Sequence, residues 1–285
     1  MSVKKCLFPV AGLGTRFLPV TKEIAKEMLP LVNRPIISYG VEEALSSGCE
    51  EIIMITGRAK RSIENYFDRS FELEELLLRR GKTELHDMIV RISDMAEILY
   101  IRQREPLGLG HAVLCGEAVC SGDYFGVILP DDVFIHDEPV LSQLIRVHER
   151  LGGSVIALEQ VELENVSRYG IVSSEEIEHD IHVITDMVEK PSLSDAPSNY
   201  AIMGRYVLSP GIFPILREQQ AGAGGEIQLT DALRKLAQSE RVYGVLYKGR
   251  RFDCGTQKGW LRANVELAME DAELRKVVLS VVNGS

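Results

Sequence analysis

Short apolar runs alternate, through the first half of the chain, with stretches whose apolar positions recur at helical spacing. The runs at 5–11, 51–56, 98–102, 124–129 and 154–159 predict strands. The stretches at 35–47, 61–67, 109–119 and 140–151 predict helices, the first with Pro35 in its opening turn and Gly48 as its stop. Segment 71–95 is laced with charge and carries Leu73, Leu76, Leu77 and Leu78, which predicts two helical pieces broken at Gly81. A leucine face backed by charge either packs on the core or joins two copies of a chain, and the pattern leaves both open. Strands alternating with helices in this way predict an α/β fold built on a mainly parallel twisted sheet with helices on both faces.

After Glu164 the pattern changes. Strand-like runs at 169–173, 181–189 and 201–208 follow one another, with a polar loop at 192–199. The small residues Ala221, Gly222, Ala223, Gly224 and Gly225 predict a flexible run ahead of a helix over 226–238. A strand at 242–247 and one terminal helix over 256–279 complete the reading. No internal repeat and no linker interrupts the chain, which predicts a single continuous domain over 1–285: a first part of about 1–160 and a second, β-rich part of about 161–285.

Composition narrows the function classes. At 45% apolar and 26% charged residues, the chain reads as a globular protein in water. Its formal charge of −10 opposes non-specific nucleic-acid binding, so no nucleic-acid partner is expected. A polyanionic substrate would need a local basic pocket. The apolar run after Lys4 and Lys5 is short and is cut by Pro9, unlike a signal sequence. No stretch approaches the ~20 apolar residues of a membrane span, so no membrane association is expected. Five cysteines, an odd number without Cys-x-x-Cys spacing, indicate neither a disulfide frame nor a zinc ribbon; Cys6, Cys49 and Cys115 are expected as core thiols, in a reducing cytoplasm.

The densest chemistry lies where the first strand ends. Ala11-Gly12-Leu13-Gly14-Thr15-Arg16 leaves the backbone bare enough for its N–H groups to meet a phosphate. Arg16 adds a planar cation and Lys26, in Lys26-Glu27-Met28-Leu29-Pro30, a second one. A Walker loop is excluded, since Gly14 is followed by Thr15-Arg16 and not by Lys-Ser/Thr. The dinucleotide fingerprint is excluded by Phe17, where a small residue would be needed. Gln103, with Gly108 close behind, offers an amide that both donates and accepts, which suits a pyrimidine edge. Asp131 ends the fourth strand as a hard oxygen ligand, with Asp132 expected to be solvated or supporting. Glu189-Lys190 ends a strand in the second half and offers a point charge beside an acceptor. Gly225-Glu226-Ile227-Gln228-Leu229-Thr230-Asp231 reads as a helix start with an acidic first turn. His179-Asp180-Ile181-His182 is read as solvated strand residues, not a metal pair, and nothing suggests a Ser/His/Asp or Cys/His nucleophile.

The two halves of the leading motif together, with Gln103…Gly108, Leu129-Pro130-Asp131, Val188-Glu189-Lys190-Pro191, the 225–231 stretch and Phe252-Asp253-Cys254-Gly255-Thr256, resemble the sugar-nucleotide pyrophosphorylases, or nucleotidyltransferases, and most of all their uridylyl branch. The resemblance spans the chain from Phe8 to Thr256. It implies a Rossmann-like, mostly parallel sheet flanked by helices, with a β-rich lobe for the sugar. The implied reaction is Mg2+-dependent transfer from UTP to glucose 1-phosphate, giving UDP-glucose and pyrophosphate. The alternatives are a thymidylyltransferase or another sugar-1-phosphate nucleotidyltransferase, and an inactive sensor of sugar nucleotides. Nucleotide contacts fall by this resemblance to Ala11, Gly12, Gly14, Thr15, Arg16, Lys26, Gln103, Gly108 and Asp131. Sugar phosphate contacts fall to Gly170, Glu189, Lys190, Asn199 and Gly204, and metal contacts to Asp131 and, as an auxiliary on a mobile run, Asp253. Arg16, Lys26, Asp131 and Lys190 are the catalytic set it implies. A homo-oligomer, dimer or tetramer, is expected.

Overall fold

The computed structural model describes residues 2–222 and 225–284, so Ala223 and Gly224 of the small-residue run lie outside the described residues. The chain runs through β1 (Lys5–Pro9), β2 (Pro30–Leu31), β3 (Arg34–Pro35), α1 (Ile36–Ser46), β4 (Glu51–Thr56), α2 (Arg61–Phe67), α3 (Phe71–Arg79), α4 (Thr83–Ser93) and β5 (Glu97–Arg102). It continues through α5 (Leu109–Cys115), α6 (Glu117–Cys120), β6 (Phe125–Ile128), β7 (Asp132–Ile135), α7 (Val140–Leu151), β8 (Ser154–Gln160), β9 (Gly170–Glu178), β10 (Ile181–Glu189) and β11 (Tyr200–Leu208). The last elements are α8 (Ile212–Glu218), α9 (Leu229–Leu236), β12 (Val242–Leu246), β13 (Arg250–Asp253), α10 (Gln257–Ala268) and α11 (Ala272–Asn283).

Nine strands form one sheet in the order β5-β4-β1-β6-β11-β8-β12-β10-β9. From β5 to β6 the strands are parallel. Strand β11 is antiparallel to both β6 and β8, and β10 is antiparallel to β12 and β9. The fold is α/β, parallel in its first half and β-rich in its second. Successive side chains of β1 serve opposite faces: Cys6 and Phe8 pack with Ile37, Val41 and Leu144 below α1 and α7, and Leu7 packs with Val113, Phe213 and Leu233 below α5, α8 and α9. Burial on both faces is why these strands read as unbroken apolar runs.

Where the elements differ from the pattern, the causes are local. The helix expected over 109–119 breaks at Gly116, where a Cβ would lie 2.3 Å from the Leu7 side chain. The single helix expected over 256–279 is two, because Asp271 accepts the N–H groups of Glu273 and Leu274 and caps a new start. Helix α8 is hidden in sequence by Pro214, which sits harmlessly in its first turn. The small ribbons β7–β13 and β2–β3 are too short to carry a pattern. The leucines of α3 do not face a core: Leu73, Leu76 and Leu78 are 43%, 41% and 53% exposed.

One buried ion pair fixes the helices behind the site. Arg205 on β11 is fully buried and forks onto Glu43 of α1 at 2.9 and 2.7 Å. Its third nitrogen donates to the carbonyls of Leu129 and Gly204, and Glu43 also accepts from the Leu141 N–H.

Candidate active site

The leading loop leaves the C-terminal end of β1, beside the ends of the neighbouring parallel strands. The backbone leaves β1, bonds once more to β4 through Val10 N–H and Ile55 O, and turns at Gly14 with φ +66°. A Cβ on Gly14 would press on Thr21 and Lys26 at 3.2–3.3 Å, so glycine is required there by both dihedral and space. The Thr21 hydroxyl donates to the Gly14 carbonyl at 2.7 Å and holds the loop closed. A cavity of about 460 Å3 opens over it, lined by Ala11, Gly12, Gly14, Thr15, Lys26, Gln103, Gly108 and Asp131. Arg16 does not line this cavity. It is exposed, with Nη1 3.4 Å from the Gly255 carbonyl and its own carbonyl held by the Gln257 amide.

Lys26 donates to Asp131 Oδ2 at 2.5 Å. Burial pushes the Asp131 carboxyl up, but the Lys26 ammonium outweighs it and holds Asp131 below the usual carboxylate range. Lys26 is affected the other way: burial alone would lower it, and Asp131 and Glu27 keep it charged. Behind it, Glu27 is fully buried and accepts from Lys60 at 2.8 Å.

Of the two readings of Asp132, solvated or supporting, its contacts agree with the second. It opens β7, accepts a two-pronged contact from Arg251 at 2.9 and 2.5 Å, and accepts the Gly204 N–H at 3.1 Å. Burial still raises its carboxyl above the usual value, Arg251 notwithstanding. The expectation of a mobile run before Asp253 is corrected. Its run is not mobile: β13 pairs with β7 in register, Asp253 opposite Asp132. The Asp253 carboxylate accepts from Arg168 at 2.7 Å and from Gly255 N–H at 3.1 Å.

A second cavity, of about 200 Å3, adjoins the first across Leu109 and Leu129, which line both. Gly170, Glu189, Lys190 and Gly204, the residues expected at a sugar phosphate, line it. Lys190 is exposed, has φ +45°, and lies 3.2 Å from Glu189 Oε1. Glu189 Oε2 accepts from Thr230 at 2.7 Å. Gly204 is a packing requirement, since a Cβ would fall 2.7 Å from Asp132 Oδ2. Asn199 is a different case. It does not line the cavity; its amide donates to the Val161 carbonyl at 3.1 Å, at the start of β11. Tyr169, beside Gly170, and Thr230, in the 225–231 stretch, line this cavity too, together with Asp132 and Arg168, which no motif assigned to it. Arg168 and Asp132 take partners far away along the chain, Asp253 and Arg251, so no local motif marks that role. The stretch 225–231 contributes Glu226 to the first cavity and Thr230 to the second, and its helix starts at Leu229, later than expected.

Two carboxylates face each other over Gly255: a Cβ there would lie 2.9 Å from Asp131 Oδ2 and 3.2 Å from Asp253 Oδ1. Among the described residues no set of three His, Cys, Asp or Glu side chains gathers for a metal. Two hard oxygens suit a cation that takes its other ligands from phosphates and water. Of the two histidines at 179 and 182, His179 is exposed, but His182 is buried and contacts Ser174, which corrects its reading as solvated.

The sequence model of the nucleotidyl transferases matches residues 9–270. A UTP–glucose-1-phosphate uridylyltransferase of Bacillus subtilis is 47% identical over 282 residues, 99% of this chain and 97% of that protein. A solved UDP-glucose pyrophosphorylase complexed with UDP-glucose superposes with a TM-score of 0.86 at 46% identity, covering 94% of this chain and all of that one. A UTP-bound UGPase from Acinetobacter baumannii gives 0.89 at 40% identity, over 98% of both chains.

Proposed function

Because the chain belongs to the nucleotidyl transferase family, we propose the following division of labour for its reaction, UTP plus glucose 1-phosphate giving UDP-glucose plus pyrophosphate. The observation that carries it is the pair of adjoining cavities, one lined by the bare loop with Lys26 and Gln103, the other by Lys190 and Glu189. UTP occupies the first, with its base toward Gln103 and Gly108 and its phosphates over Gly12, Gly14 and Thr15. Glucose 1-phosphate occupies the second, its phosphate on Lys190 and its hydroxyls toward Glu189.

A phosphate monoester loses its second proton at a pKa of about 6, so its oxygen attacks the α-phosphorus without a general base. The protein's task is alignment and charge stabilisation. Lys26, kept protonated by Asp131 and Glu27, balances charge on the triphosphate, and Arg16 does so from the loop's outer side. Lys190 aims the attacking phosphate. A single in-line displacement follows, since among the described residues neither cavity is lined by a Ser, Cys or His that could form a nucleophile set. Asp131 and Asp253 would hold Mg2+, which when bound supplies Lewis-acid neutralisation of the phosphate oxygens.

Among the described residues no helix is long and apolar enough to cross a membrane, and the five cysteines are free, which supports a cytoplasmic reading. The exposed leucines of α3 support a homo-oligomer, for which light scattering at working concentration is the measure. The reaction itself is tested by pyrophosphate release from UTP, dTTP and other nucleotides against a panel of sugar 1-phosphates. Release with UTP and glucose 1-phosphate is expected to dominate, and silence with that pair would defeat the reading.

A further inference from the structure

Gln103 is 94% buried by its side of the cavity wall, being only 6% exposed, and its amide has a defined hand. Its side-chain nitrogen lies 3.2 Å from the Gly108 carbonyl and 2.9 Å from His111 Nδ1. A carbonyl only accepts, so the atom facing Gly108 must be the NH2 group. With both amide hydrogens directed at Gly108 and His111, His111 Nδ1 must be the lone-pair nitrogen, its proton on Nε2. Among the described residues the Gln103 side chain bonds only through its nitrogen, which leaves Oε1 free on a side chain that lines the cavity.

We propose that His111 is a positioning residue for base selection: it locks the Gln103 amide so that an acceptor oxygen faces the nucleobase. Uracil carries N3–H, a donor, at its pairing edge, and cytosine carries a lone pair at N3. An oxygen held in place welcomes the first and opposes the second. Without His111 only Gly108 holds the amide, which then turns more readily to present NH2. Backbone geometry supports the assignment. His111 sits in the first turn of α5, and that turn is pinned by two backbone bonds, Gly110 N–H to Ile227 O at 2.8 Å and Ile227 N–H to Leu107 O at 2.7 Å. Gly110 is glycine for that contact, as a Cβ would lie 2.7 Å from the Ile227 oxygen. The imidazole therefore has a fixed base from which to hold the amide.

The proposal rests on UTP binding with its base at Gln103. Its test is kcat/KM for UTP and for CTP, with glucose 1-phosphate saturating, in the wild type and in three full-length variants. His111→Phe keeps a ring and removes the acceptor; His111→Leu removes both and serves if the first misfolds. His111→Asn places Oδ1 where Nδ1 stood. The UTP-over-CTP ratio is expected to fall about tenfold in the Phe and Leu variants, the scale of one lost neutral hydrogen bond, and to recover in His111→Asn. KM for glucose 1-phosphate and the thermal midpoint should stay near wild type in each. Unchanged selectivity in His111→Phe and His111→Leu overturns the proposal, as does His111→Asn behaving like them. A wild type that does not prefer UTP overturns the base-site reading beneath it, and is told apart because it shows before any variant is made.

Discussion

At the scale of single residues, the leading loop was legible because its parts are contiguous: two glycines, an arginine and a nearby lysine at a strand end. The roles of Asp132 and Arg168 were not, because each acquires its meaning from a partner far along the chain; Arg251 reaches Asp132 across 119 positions. Asp253 was misjudged for the same reason, since its neighbours in sequence look mobile and its neighbours in space do not. That changes what substitution should do. Asp131→Asn keeps the shape but leaves Lys26 without its counter-charge, and kcat should drop by about 10²–10³-fold, the scale for losing one charge-stabilising group. Asp253→Asn is expected to cost less but well above error, because Arg168 and the Gly255 N–H hold it rigidly. Rates measured against Mg2+ concentration check both; a wild-type curve for Asp131→Asn would place the cation elsewhere. Lys190→Ala should raise KM for glucose 1-phosphate far more than for UTP, and equal losses on both substrates would contradict its assignment to the sugar phosphate.

At the scale of elements, the strong periodic segments came through: α2 and α7 and strands β4 and β10 have the bounds their patterns predict. The failures were short ribbons and breaks inside helical patterns, where a single contact decides. Ribbon β7–β13 is the consequential one, since it carries Asp132 and Asp253 together. Its anchor is the Arg251–Asp132 pair, with side chains only 10% and 14% exposed. Arg251→Met would strand a buried carboxylate and is expected to cost about 3 kcal/mol or more. Chemical denaturation measures it, and Asp132→Asn in the same background should return part of the loss, because the orphaned charge is then gone.

At the scale of the whole molecule, burial separates the five thiols. Cys120 and Cys254 are buried, and burial pushes each thiol up to about 12. At pH 8 almost none of either is thiolate, the reactive form. Cys115 is the half-exposed one. Native protein at pH 8 should therefore modify first at Cys115, with the others following only on unfolding; mass spectrometry of the labelled peptides reads the order, and early labelling of Cys254 would contradict its burial.

Strand β11 lies between β6 and β8 in the sheet, yet it is made long after both. During synthesis, which delivers the N-terminal part first, β6 has β1 on one side and a bare edge on the other until residue 208 has been added. Strand β8 waits entirely, since its two partners, β11 and β12, are both still to come. A nascent chain ending near residue 160 thus presents unpaired apolar strands, a form prone to sticking to others like it. A fragment of residues 1–160 is expected to aggregate and to lack a cooperative melt, whereas the full chain melts as one; a soluble, cooperatively melting fragment would contradict this. For the same reason the growing chain should stay sensitive to protease well past its midpoint and become resistant abruptly, once β11 threads between strands that have been waiting for it.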